Sequence, residues 1–130
     1  MPSEFLTTRF VLAIHRDLID TFGGSPGVRD EGLLESALAQ PQATAGGRLL
    51  HRTVFDQAAA YLFHVCANHP FIDGNKRAGF AAMDTFLRRN GYRLVLGDED
   101  AYRLALGVAE GTIGKREVSS RLRRNCERSQ

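Results

Sequence analysis

The sequence predicts an all-α fold: one compact helical bundle over residues 1–130, with at most a minor hairpin. Two observations carry this. Every long periodic segment repeats its apolar residues at helical spacing. The chain is also 43% hydrophobic over 130 residues, which supports one real core and leaves little room for a second domain.

The first element runs from about Thr8 to Phe22, with Phe10, Val11, Ile14, Leu18 and Phe22 on one apolar face. Gly23-Gly24-Ser25-Pro26-Gly27 then breaks the chain. A second helix spans Asp30 to Ala39, capped by Asp30, with Leu33, Leu34, Ala37 and Leu38 inward and Pro41 beyond its end. Residues 42–52 are irregular and turn at Gly46-Gly47. Thr53 to Asn68 opens on a capping-box pattern, Thr53 with Asp56, and is apolar enough to be central.

The next helix runs from about Asn75 to Asn90, with Asn75 as its cap and Phe80, Met83, Phe86 and Leu87 as its core face. Arg88 and Arg89 suit its C-terminal dipole, and Gly91 ends it. Tyr92 to Leu96 reads as a short extended segment. A helix from Asp98 to about Ala109 starts on favourable acidic charge, and a basic helix covers Lys115 to Arg124.

Composition excludes several classes. Lys+Arg is 17 against 15 Asp+Glu, a balance that does not favour nucleic-acid binding. The uneven part is Lys115, Arg116, Arg121, Arg123, Arg124 and Arg128, which read first as a solvated helix face and second as a dock for an acidic partner. Cys66 and Cys126 have no metal-type spacing and suggest reduced thiols in a cytosolic protein. The opening Met-Pro-Ser-Glu-Phe lacks the pattern of a secretory signal, and no stretch approaches the roughly 20 apolar residues of a spanning helix. His15, His51 and His64 lie in or beside helix patterns and read as structural or solvated.

Chemistry concentrates in His69-Pro-Phe-Ile-Asp-Gly-Asn-Lys-Arg77. Pro70 ends the preceding helix at His69. Phe71 can plug the core. Asp73 is a loop carboxylate suited to a hard cation such as Mg²⁺. Gly74 permits positive φ, so successive amides can form an anion nest. Lys76 and Arg77 place two cations at a helix N-terminus, where they oppose the dipole unless an anion lies between. A nucleoside triphosphate with Mg²⁺ satisfies each part, and His69 is then a general base for a hydroxyl.

This segment resembles the motif of the Fic superfamily, His-x-Phe-x-Asp/Glu-Gly-Asn-Gly-Arg-x-x-Arg, and more narrowly that of the Doc (death-on-curing) toxin family, which ends Asn-Lys-Arg. His69, Phe71, Asp73, Asn75, Lys76 and Arg77 carry the match, and Gly74 fits the broader motif. Gly32-Leu-Leu-Glu-Ser-Ala-Leu38 and Arg88-Arg-Asn-Gly-Tyr92 are similar to Doc proteins as well. Lys76 replaces the second glycine of the general motif and Phe80 stands at its second arginine.

The resemblance implies a Fic/Doc-type helical bundle in which residues 42–52 are a small flap, hairpin or loop, that aligns a target by strand-like pairing. It implies a cytoplasmic toxin that passes the γ-phosphoryl of ATP to a threonine of elongation factor Tu. Catalysis then falls to His69, metal binding to Asp73, and nucleotide and phosphate binding to Gly74, Asn75, Lys76 and Arg77. Mg²⁺ and ATP are the implied cofactor and co-substrate, and a Phd-like antitoxin the implied partner. Both departures from the general motif weigh against AMP transfer, the alternative activity. A catalytically silent partner-binding module is the other alternative. The inhibitory Ser/Thr-x-x-x-Glu-Gly/Asn string of many Fic proteins is absent, since Gly27 and Leu106 precede Glu31 and Glu110 by four residues.

Overall fold

The computed structural model describes residues 2–129, and these form six α-helices with two small antiparallel pairs. Helix α1 (Thr8–Phe22) is capped by Thr7, whose side chain accepts the Phe10 N–H. Helix α2 (Glu31–Ala39) is capped by Asp30 in the same way and runs into a 3₁₀ turn, Gln40–Gln42, where Pro41 is buried. Strands β1 (Thr44–Ala45) and β2 (Arg48–Leu49) make the expected hairpin about Gly46 and Gly47, both at positive φ.

Helix α3 (Val54–Asn68) is the central element. Ala58, Ala59, Ala60, Tyr61, Leu62 and Val65 are all fully buried, so helices cover it on every side. Its main neighbour is α4 (Asn75–Arg89). The two approach closely at Gly79, where a Cβ would stand 3.3 Å from the Leu62 carbonyl. Met83, Phe86 and Leu87 fill the seam at 0% exposure. Each such side chain contributes about 1.5–3 kcal/mol by leaving water. Tyr61 keeps its hydroxyl satisfied by accepting the Leu6 N–H, and burial pushes its pKa up to about 12.

Beyond α4 come β3 (Tyr92–Leu94), α5 (Asp98–Glu110), α6 (Lys115–Asn125) and β4 (Cys126–Arg128). Strand β4 is a departure from the sequence reading. It pairs antiparallel with β3, with Tyr92 opposite Arg128 and Leu94 opposite Cys126, and so ties the chain's last described residues to the end of α4.

Two further differences concern faces. On α1 the buried line is Val11, His15 and Ile19, while Phe22, expected inward, is 63% exposed. The basic residues of the C-terminal segment are largely engaged at home. Arg121 and Arg124 both reach Glu117, Arg123 lies over the Phe55 ring, Arg128 lies over Tyr92, and the Lys115 Nζ sits 2.9 Å from the His64 Nε2. Exposed pairs of this kind contribute little stability, but they diminish the free positive face. Among the described residues no helix is long and apolar enough to cross a membrane.

Candidate active site

The loop between α3 and α4 is built by residues from three other segments. His69 is the C-cap of α3, in the left-handed region at φ 50°, ψ 54°. It is the only non-glycine residue at positive φ among those described. Proline at the next position disfavours the right-handed region, so the helix ends here. The turn is fastened from outside by Arg29, whose Nε donates to the His69 carbonyl at 2.7 Å and whose Nη2 donates to the Asn68 carbonyl at 3.0 Å. The His69 side chain is left exposed.

The glycine-rich segment after α1 is laid along this loop. The Pro70 carbonyl accepts the N–H groups of Arg29 and Asp30, Val28 bridges Phe71, and the Ile72 N–H donates to the Gly27 carbonyl. What reads in the sequence as a simple break is therefore the outer rail of the site. Arg29 carried no signal that could have marked it, because its work is done on backbone carbonyls.

Phe71 is fully buried, as expected of a plug. Asn75 holds it there. The Phe71 N–H donates to Asn75 Oδ1 at 2.9 Å, and Asn75 Nδ2 donates back to the Phe71 carbonyl at 3.0 Å. This corrects the expected cap. The N-cap of α4 is Gly74, at φ 77°, ψ 23°, and Asn75 is the first helical residue with a buried side chain turned onto the loop. Only its backbone N–H faces the helix end.

No side chain caps α4, so the amides of its first turn, at Asn75, Lys76 and Arg77, lack the acceptors that a helix interior provides. Lys76 and Arg77 are exposed beside them. Arg77 lies over the Phe22 ring, 5.3 Å from its centroid, which gives that exposed phenyl a role as a platform.

Asp73 is an exposed carboxylate in front of this helix end. Its Oδ2 accepts the Ser25 N–H at 3.0 Å and its Oδ1 accepts the Gly74 N–H at 2.8 Å. These bonds, with the nearby Arg77 charge, hold its carboxyl below the ordinary aspartate value. Gly24 leaves it room, since a Cβ there would come within 2.7 Å of Oδ2.

All six residues picked from the sequence line one cleft of about 1120 Å³: His69, Asp73, Gly74, Asn75, Lys76 and Arg77. Leu18, Cys66, Phe80 and Tyr102 supply an apolar wall. Burial pushes the Cys66 thiol up to about 11, partly offset by Lys76. His51 is buried beside the hairpin and His64 half-buried near Lys115, and neither lines the cleft.

The arrangement suits a charged, phosphorylated ligand. Among the described residues no group of three or more His, Cys, Asp or Glu could cage a metal. One ionised carboxylate facing open amides fits a cation of the Mg²⁺ type, which takes one or two protein carboxylates and completes its shell from phosphate and water.

Comparison with known proteins agrees with the geometry. A model of the Fic/DOC family matches residues 5–87, the span that contains α1 to α3, the whole loop and all but the last two residues of α4. A relative from Mycolicibacterium smegmatis named Toxin Doc is 49% identical over 73 residues, which is 56% of this chain and 56% of that one. The chain thus matches little more than half the length of that relative. A relative from Escherichia phage P1 named Protein kinase doc is 33% identical over 114 residues, covering 88% of this chain and 89% of that protein.

Proposed function

The chain belongs to the Fic/DOC family, and from that premise we propose that it is the toxin of a toxin–antitoxin pair and acts as a protein kinase. It passes the γ-phosphoryl of ATP to a threonine hydroxyl of a translation factor such as elongation factor Tu, in the cytoplasm, and so blocks translation. The names of the two relatives support toxin and kinase.

The observation that carries the reading is the uncapped N-terminus of α4 facing the same cleft as His69 and Asp73. The amides after Gly74, with Lys76 and Arg77, bind the phosphates. Asp73 would hold Mg²⁺, which, when bound, neutralises phosphate charge. His69 takes the proton of the target hydroxyl as its oxygen bonds to the γ-phosphorus; the bond to the β-phosphate oxygen breaks and ADP leaves. Exposed β1 and β2 offer backbone groups on which an extended target segment can align. Lys76 in the nest and Phe80 on the cleft wall support γ-phosphoryl rather than AMP transfer, because the general motif has a glycine and an arginine there. The partner that restrains the enzyme is a Phd-like antitoxin.

The test is incubation with elongation factor Tu and γ-labelled ATP. Label should reach the factor and be lost in His69→Ala. An unlabelled factor, or label retained in the variant, defeats the proposal, and label from α-labelled ATP points to AMP transfer.

A further inference from the structure

His15 lies directly beneath the reactive loop and has no part in the chemistry above. It is 4% exposed on the buried line of α1. Its ring stacks on Phe71, with centroids 3.8 Å apart and planes 6° apart. Its Nε2 lies 2.8 Å from the backbone carbonyl oxygen of Asp73. A carbonyl only accepts, so Nε2 carries the proton of that bond.

The bonded carbonyl belongs to the peptide that joins Asp73 to Gly74. That peptide is trans, so its carbonyl and its N–H point in opposite directions. With the carbonyl drawn inward to His15, the Gly74 N–H is turned outward, where it meets Asp73 Oδ1. The peptide has an inexpensive alternative. Gly74 stands at φ 77°, and glycine adopts negative φ about as readily. Rotated by about half a turn, the peptide would aim its oxygen at the cleft and strip Asp73 of an N–H partner. An oxygen there repels phosphate, whereas an N–H attracts it.

We propose that His15 is a positioning residue: its Nε2–H locks the Asp73–Gly74 peptide with the N–H outward, and so shapes the anion nest and aims the Asp73 carboxylate for the cation of a metal-bound nucleoside triphosphate. The inference deepens the kinase reading and rests on phosphates binding at the start of α4. The stack on Phe71 fixes the ring's plane, and the hydrogen bond uses that fixed plane.

Three measurements test it. In the wild-type protein, ¹⁵N NMR of His15 should show the Nε2–H tautomer with a slowly exchanging ring proton; the Nδ1–H tautomer would overturn the lock. His15→Phe keeps a ring against Phe71 and removes the N–H. It should shift or broaden the Gly74 amide resonance in the free protein and weaken Mg·ATP binding, read by calorimetry, by about tenfold, or about 1.4 kcal/mol. His15→Gln loses the stack and can still donate to the carbonyl, so it should recover most of the affinity. A native Gly74 resonance in His15→Phe, or His15→Gln binding as weakly as His15→Phe, would overturn the proposal. Wild-type protein that does not bind Mg·ATP would defeat the kinase reading, while the tautomer and the Gly74 resonance would still decide the lock.

Discussion

Replacing Asn75 with alanine strands two buried backbone groups. The wild-type side chain accepts the Phe71 N–H at 2.9 Å and donates to the Phe71 carbonyl at 3.0 Å, at a site where Phe71 is fully buried and Asn75 is 6% exposed. Water cannot replace either bond without opening the loop. A buried group left unpaired costs about 1–3 kcal/mol, and the two losses are not independent. Alanine recovers about 0.5 kcal/mol as a better helix former. The net loss is then about 2–3 kcal/mol, which for a domain of this size lowers Tm by roughly 6–15 °C. Asn75→Asp keeps the acceptor for the N–H but sets a carboxylate oxygen against the Phe71 carbonyl, so it recovers at most part of the loss. Thermal denaturation followed by circular dichroism measures this, with Mg·ATP titration alongside. Asn75→Ala that melts within about 2 °C of wild type yet fails to bind nucleotide would refute the clamp and make the side chain a ligand.

Other expectations follow from the same geometry. His69→Gly should abolish transfer while leaving Tm equal or slightly higher, because relief of left-handed strain, about 1–2 kcal/mol, offsets the entropy cost of glycine, about 0.5–1 kcal/mol; a large fall in Tm would contradict this. Burial, with Lys115 and His51 nearby, pushes His64 down to about 4 from 6.5, so the unfolded chain binds the extra proton between those values. Stability should therefore be full above pH 6.5 and decline as pH falls toward 4, and His64→Gln should flatten that slope in a pH series of melts; an unchanged slope would count against it. The Cys66 thiol, pushed up to about 11, should alkylate slowly in the folded protein near neutral pH and quickly after denaturation, as read by mass spectrometry. Rapid labelling of the native state would contradict the raised thiol.

Much of this molecule is legible in its sequence, for identifiable reasons. Most helices are apolar on one side, and the first three are capped by Thr7, Asp30 and Thr53, each bonded to the N–H three residues on. The six site residues picked from the sequence all fall between His69 and Arg77, so one loop brings them together without knowledge of the fold. Other features depend on contacts distant in sequence. Strand β4 is Cys126-Glu127-Arg128, three residues whose pattern continues that of a polar helix until Tyr92 to Leu94 offers a partner. His15 is a histidine at helical spacing and reads as structural or solvated until Asp73 is seen 58 positions away. Asn75 sits where a cap belongs, and only the left-handed Gly74 moves the cap back by one residue. Phe22 follows the apolar spacing of α1 but lies beyond its packed part, beneath Arg77.

In the proposed reaction the cleft moves the terminal phosphate of ATP, not its AMP, and His69 is the base. The most direct measurement is the intact mass of elongation factor Tu after incubation with the protein, ATP and Mg²⁺. The expected result is a gain of one phosphate, absent with His69→Ala. A gain of one AMP, or a phosphate that persists with His69→Ala, would contradict it.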